Sequence, residues 1–242
     1  MKSITTKNLA KRYKNIIAVD GLNLEILQGE LFSLLGINGA GKSTTIKMLS
    51  CLTEPTEGEA IVEGYNLLKE QNQIKKIIGV SPQETAIAPN LSVYENLELI
   101  CGIHGFSKDK TIAKIEEISK KFGLKSVLQR KAGKLSGGWQ RRVSISMSLI
   151  SEPKILFLDE PTLGLDVIAR RELWEIIESL KNEVTIILTT HYMEEAEALS
   201  DRIGIMKNGK LLVIGTAEDL IIKTNTKDFE SAFISIVKED TI

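Results

Sequence analysis

Apolar positions along the chain fall into two kinds of short run, and the contrast predicts two sheets. Residues Ile4 to Ala10 and Leu22 to Leu27 alternate apolar with polar side chains, the period of a strand with one face in water. With Glu59 to Val62 they predict a small antiparallel sheet at the N-terminal end. The runs Leu31 to Leu35, Ile77 to Val80, Ile155 to Leu158 and Thr185 to Leu188 are more continuous. Strands buried on both faces have this pattern, so these four predict a parallel core. Asn208-Gly209, between Arg202 to Lys207 and Lys210 to Ile214, predicts a tight hairpin.

Helical spacing takes over between Pro89 and Pro153. Ser92 and Glu95 form a capping-box pair, and helical periodicity runs through Val93 to Ile100 and Thr111 to Phe122. No strand pattern competes there, which predicts a helical insert in an α/β core. Thr216 and Asp219 open a late helix, and helix is expected again from Asp228 onward. The expected division is one domain: 1–88 and 153–215 an α/β core with its antiparallel subdomain, 89–152 a helical subdomain, 216–242 a helical tail.

Composition narrows the classes. A chain of 242 residues, 43% hydrophobic, buries one substantial core. Its 31 basic and 32 acidic residues leave a formal charge of −1, so no electrostatic footprint marks nucleic acid as the main partner. Cys51 and Cys101 lack C-x-x-C spacing and read as buried, reduced thiols. No apolar run approaches the roughly 18 residues that span a bilayer, and the N-terminus carries no signal-peptide pattern. A soluble chain is expected, with any membrane role passing through another polypeptide.

The chemistry begins at Gly36, where the sequence to Thr44 fits G-x-x-x-x-G-K-S/T between an apolar run and a helix expected over Thr44 to Leu49. Glycines let backbone N–H groups close around phosphate oxygens, and the following helix turns its positive end on the same anion. Asn38, Gly39, Ala40, Gly41, Lys42, Ser43 and Thr44 are the residues of this loop expected at the nucleotide. Lys42 is expected at the β- and γ-phosphates and Ser43 on Mg²⁺.

Downstream, the run Ile155 to Leu158 ends in adjacent carboxylates, Asp159 and Glu160. In a parallel sheet that end opens beside the phosphate loop. Asp159 is expected to hold Mg²⁺ through water, and Glu160 to orient an attacking water or take its proton. Taken alone, the pair also reads as a strand ending in two solvated acids. Ser136-Gly137-Gly138 introduces a helix expected to run to about Ile150, with Ser136 as N-cap and open amides at its positive end. By itself this is a second anion site or merely a capped helix after a flexible loop.

Together these segments resemble the nucleotide-binding subunit of an ATP-binding cassette (ABC) transporter across nearly the whole chain. The resemblance implies a phosphate-loop NTPase core with parallel sheet, a small N-terminal antiparallel β subdomain and an inserted helical subdomain. It implies ATP and Mg²⁺ as cofactors, a second ABC subunit, identical or different, and a transmembrane permease subunit as partners. In this family Ser136, Gly137 and Gly138 match the signature that covers the γ-phosphate held by the other subunit, so two cassettes close head to tail. Tyr13 matches the aromatic stacked on adenine, although its ring alone reads as packed on the sheet. Gln83 matches the loop glutamine at Mg²⁺ and the water, Asp166 the loop communicating across the dimer, and His191 the switch histidine at the γ-phosphate.

Other polar residues have plainer readings. His104, beside Gly102 and Gly105, reads as a surface loop residue, and Glu194, Glu195 and Glu197 as the solvated face of a helix. Arg141 and Arg142 read as surface residues or dimer contacts. The chain departs from the family at Ile37, usually proline, at Trp139, often glutamine, and at Leu163, commonly serine. None of these removes a phosphate-contacting group, so hydrolysis is expected to survive. Leu163 lacks a hydroxyl that bears on communication between the two sites.

The segments Thr190 to Glu197 and Leu163 to Glu172 are similar to cassettes of drug-resistance and antibiotic exporters, which implies export and a place on the inner face of the cell membrane. The chain length fits the short form of the cassette, without an added regulatory domain. The rival readings are an ABC ATPase of translation or DNA repair, and a degenerate cassette that binds ATP without hydrolysis. One cassette without sustained heptads argues against the first. Lys42, Asp159, Glu160 and His191 argue against the second.

Overall fold

Two long strands, β1 (Lys2–Tyr13) and β2 (Ile16–Leu27), form a hairpin whose inner face is set by alternation: Leu22, Leu24 and Ile26 are buried and the residues between them are not. The computed structural model describes residues 1–239. β3 (Leu31–Leu35) follows, then α1 (Lys42–Leu49), β4 (Glu57–Val62), β5 (Tyr65–Asn66), α2 (Gln71–Ile77) and β6 (Ile78–Ser81). The antiparallel sheet expected from alternation has the order β2-β1-β4-β5. Its strands run longer than their alternating cores, because the hairpin continues through mixed positions to a turn at Lys14.

Three helices come next: α3 (Val93–Ile103), α4 (Lys108–Lys121) and α5 (Gly137–Ser148). The Ser92 capping box forms, with Ser92 N–H donating to Glu95 Oε2 at 2.7 Å and Glu95 N–H to Ser92 Oγ at 3.2 Å. α4 starts a turn before its apolar periodicity, because Ser107 caps it ahead of a polar first turn. β7 (Ile155–Asp159), α6 (Val167–Ser179), β8 (Thr185–Thr190), α7 (Met193–Leu199), β9 (Arg202–Lys207), β10 (Lys210–Gly215), α8 (Ala217–Thr224) and α9 (Phe229–Glu239) complete the order. No helix was expected at α2 or across α6. Among the described residues no helix is long and apolar enough to cross a membrane.

The larger sheet has the order β10-β9-β3-β8-β7-β6. β3, β8, β7 and β6 run parallel as their continuous apolar runs imply, and β3, β7 and β8 are buried along their whole length. The parallel core is larger than expected: β9, read only as half of a hairpin, also pairs parallel with β3. Gly204 breaks the β9 pattern for a packing reason, since a Cβ there would stand 2.9 Å from both Phe32 and Leu211. The hairpin turn itself has Asn208 and Gly209 at φ 49° and 81°, as its type demands.

Strand period decides which core each residue enters. Ile155 and Phe157 pack with Leu22, Leu24, Phe32 and Ile46 under the antiparallel sheet. Leu156 and Leu158 point the other way, among Val93, Leu97, Ile118, Val143 and Trp174 of the helices. The C-terminal ends of β3, β7 and β8 emerge side by side at Leu35, Asp159 and Thr190. Ligand crevices of parallel α/β sheets open at such an edge.

Candidate nucleotide site

The loop from β3 to α1 wraps tightly because its backbone has no room for side chains. Gly41 sits at φ 103°, and a Cβ there would stand 2.5 Å from the Ala18 carbonyl oxygen. Lys42, only 5% exposed, donates from Nζ to the carbonyls of Gly36 at 2.7 Å and Ile37 at 3.2 Å, and lies 3.3 Å from Glu160 Oε1. Its ammonium thus stands over the loop and against the acid at the end of β7.

Asp159 closes the same edge. Its Oδ1 accepts from Ser43 Oγ at 2.9 Å and from Thr189 Oγ1 at 2.5 Å. Glu160 follows at φ 49°, a left-handed conformation uncommon outside glycine. Its amide N–H holds it there, donating to Thr189 O at 3.0 Å and to Thr189 Oγ1 at 3.1 Å. Its Oε2 meets His191 Nδ1, and the His191 ring lies 4.1 Å from that of Tyr192.

A cavity of about 550 Å³ opens over these groups. Tyr13, Asn38, Gly39, Ala40, Gly41, Lys42, Ser43, Thr44, Gln83, Glu160 and His191 all line it, with Leu163 on the same wall. Tyr13 ends β1, the residue 44% exposed, with Lys11 Nζ 5.0 Å from the ring centroid. The ring is therefore not packed away on the sheet. It is available to a planar ligand.

Ser136, Gly138 and Asp166 line a different cavity, of about 230 Å³, with Trp139 and Arg142. Gly137 lies beside that cavity's loop, where an added Cβ would meet Leu165 at 3.7 Å. Ser136 has N-cap backbone angles, but its hydroxyl makes no capping bond, contrary to expectation. The first amides of α5 have no intrahelical partners, so the helix end and an exposed hydroxyl both face outward. Asp166 does cap, accepting from the Ala169 amide at 2.9 Å to start α6.

Two plainer readings are overturned, and a third holds for one residue of its two. Arg141 is 4% exposed, not on the surface, and its guanidinium donates to the carbonyls of Pro82, at 2.6 Å, and Gln83. Burial pushes its pKa down, opposed by the charges of Asp159 and Glu195. Glu195 is fully buried rather than solvated, and only Glu194 and Glu197 face water. Cys51 is half-buried, while Cys101 is enclosed; both are free thiols. Helical spacing carried the signal for the first two: Arg141 shares a face with buried Ser144 and Ile145, and Glu195 with Leu199. Arg142 pairs with Glu172 and stacks on Trp139, 4.8 Å from the ring centroid, and His104 is exposed at the end of α3.

A family model described as ABC transporter matches residues 19–163, from β2 through the turn after Glu160. The chain belongs to the ABC transporter family. It is 39% identical over 242 residues to the probable multidrug ABC transporter ATP-binding protein YbhF of Escherichia coli, covering 98% of this chain and 42% of that relative. The daunorubicin resistance ATP-binding protein DrrA3 of Streptomyces coeruleorubidus is 38% identical over 223 residues, covering 92% of this chain and 71% of that one. Among solved structures, the ATP-binding cassette MJ0796, a dimer in a post-hydrolysis state bound to ADP and Pi, superposes with a TM-score of 0.79 at 30% identity. That match covers 88% of this chain and 98% of the other. The chain has the α/β fold of the ATP-binding cassettes it superposes on.

Mg²⁺ fits what the cassette offers. Among the described residues no cluster of three His, Cys, Asp or Glu side chains could hold a metal. Ser43 Oγ and buried Asp159 Oδ1 instead lie within one hydrogen bond of each other, and Ser43 and Gln83 both line the larger cavity. One carboxylate, a hydroxyl and nucleotide phosphates suit a small cation that keeps several waters.

Proposed function

We propose that this cassette is the ATPase subunit of an exporter, closing head to tail with a second cassette around two nucleotides. The observation that carries the pairing is the separation of its two anion-binding elements. The phosphate loop and Glu160 share one cavity, while Ser136 and Gly138 face another. A single copy therefore supplies donors to only one side of a γ-phosphate, and a second copy's Ser136 segment supplies the other.

Within each half, Tyr13 holds the base, the amides from Asn38 to Thr44 and Lys42 hold the phosphates, and Ser43, Gln83 and Asp159 would hold Mg²⁺, which would supply neutralisation of phosphate charge. Glu160 takes or directs the proton of the attacking water, with His191 fixing its carboxylate from the opposite side. Asp166 reports the state of one site to the other. Arg141 holds the Gln83 loop on the helical segment, so a change at Gln83 passes to residues 89–152 and from there to a transmembrane permease subunit. In this reading 1–88 and 153–215 form the ATPase core, 216–242 its tail, and the whole acts as one domain on the inner membrane face.

Export is supported by the names of relatives, multidrug for YbhF and daunorubicin resistance for DrrA3. Co-expression with a candidate transmembrane permease subunit, followed by ATP-driven dye or drug uptake into inverted vesicles, tests this. Uptake lost in Glu160→Gln supports export. Uptake instead into right-side-out vesicles loaded with ATP would overturn the direction. Association with ribosomes or DNA rather than a membrane protein would overturn transport altogether.

A further inference from the structure

The segment carrying His191 is tied to the loop and helix around Asp166 at two points, and neither tie touches the nucleotide cavity's phosphate-binding residues. The Arg170 guanidinium stacks on Tyr192, 4.6 Å from the ring centroid. Three residues after Tyr192, Glu195 is 0% exposed. Its Oε1 accepts from Thr162 Oγ1 at 2.7 Å and from Trp174 Nε1 at 3.0 Å. Thr162 lies in the turn between Glu160 and Asp166, and Trp174 in α6, which Asp166 caps. Three separate segments therefore meet on one oxygen.

The other oxygen, Oε2, is buried without a hydrogen bond of good geometry, although the Thr190 hydroxyl lies close enough to act on the carboxyl. Leaving an acceptor unsatisfied costs free energy that an apolar side chain of similar size avoids, so stability alone is a poor account of this residue. Burial raises the Glu195 pKa, as does the Glu160 charge, while the hydroxyls of Thr190 and Thr162 and the Trp174 indole lower it. The Glu195 charge in turn holds the Arg141 pKa up against the effect of its burial.

We infer that Glu195 is a positioning residue for ATP hydrolysis, joining the Glu160–Thr162 turn, α6 and the His191 segment so that Glu160 and His191 meet correctly and Asp166 follows His191. A side chain that only sets such geometry affects the chemical step and leaves nucleotide affinity alone. The inference rests on the roles proposed for Glu160 and His191.

The experiment measures kcat, ATP affinity and melting temperature on the full chain, with wild type and Glu160→Gln as references. Glu195→Ala is expected to lower kcat about tenfold or more with ATP affinity within about twofold of wild type. Glu195→Gln, which keeps an acceptor oxygen toward Thr162 and Trp174, is expected to return kcat to within about threefold of wild type. Should the alanine variant fail to fold, the Thr162→Val, Trp174→Phe double variant removes both donors with little change of volume and is expected to show the same split. Wild-type kcat in Glu195→Leu or in that double variant overturns the inference, as does a glutamine variant as slow as the alanine one. A normal contrast between wild type and Glu160→Gln in those runs leaves the catalytic reading of Glu160 standing.

Discussion

Ser43 and Asp159 are 116 positions apart in the chain, yet the Ser43 hydroxyl donates a 2.9 Å hydrogen bond to Asp159 Oδ1. The phosphate loop and the end of β7 are thereby locked edge to edge, with Thr189 from the strand between them bonded to the same oxygen. Two oxygens suited to one hard cation are held at a fixed spacing by the sheet.

Ser43→Ala is expected to lower ATP affinity in Mg²⁺ by about tenfold while leaving affinity in EDTA unchanged, since only the metal-dependent part uses the hydroxyl. Paired nucleotide titrations check this. Equal losses in both buffers would mean that Ser43 serves the loop's shape rather than the metal.

Lys42→Ala removes the ammonium that stands on the Gly36 and Ile37 carbonyls and beside Glu160. ATP affinity is expected to fall at least about tenfold, because a buried cation facing phosphates acts in a low dielectric. Unchanged binding of a fluorescent nucleotide would sink this assignment.

Glu160→Gln keeps the shape at the end of β7 and removes the carboxylate that meets His191. Turnover is expected to drop by about 10²-fold or more with ATP still bound, and size-exclusion chromatography with ATP is expected to show a dimer. A variant that stays monomeric and turns over like wild type refutes both the role and the pairing.

Arg141→Met is expected to leave the Pro82 and Gln83 carbonyls short of a buried donor, at about 1–3 kcal/mol for each unsatisfied group. A lowered melting temperature together with faster proteolysis near Gln83 is the signature. Melting unchanged from wild type would show that the two carbonyls find water instead.

The raised pKa of Glu195 makes a signed prediction for stability. A carboxyl whose folded pKa lies above its unfolded value of 4.5 stabilises the fold fully below pH 4.5 and loses that contribution as pH rises through the folded value. Glu195→Gln cannot ionise, so its melting temperature relative to wild type is expected to climb as pH rises above 4.5. Parallel slopes for the two proteins would mean that Glu195 ionises as freely folded as unfolded.

Much of the architecture was legible because its signals are local. Alternation marked Leu22 to Ile26 as half-exposed, continuous apolar runs marked β3, β7 and β8 as buried, and both capping boxes formed where Ser92 and Thr216 stand. β9 escaped as a core strand because its hairpin signal is local while its pairing with β3 is not. α6 escaped because its buried face is thin, with only Leu173, Trp174 and Ile177 enclosed.

The candidate site divides along the same line. By itself the sequence determined the phosphate loop, the acids at the end of β7 and the order of the family's segments, since these are spacings within one short stretch. Only the tertiary structure decided that Tyr13, Gln83 and His191 share a cavity with that loop while Ser136 and Asp166 do not. It alone enclosed Arg141 and Glu195, whose charges the composition assigns to water. The physical reason is that burial belongs to a face and to what packs on it, and a helix carrying two outward glutamates can turn a third inward toward Thr162 and Trp174.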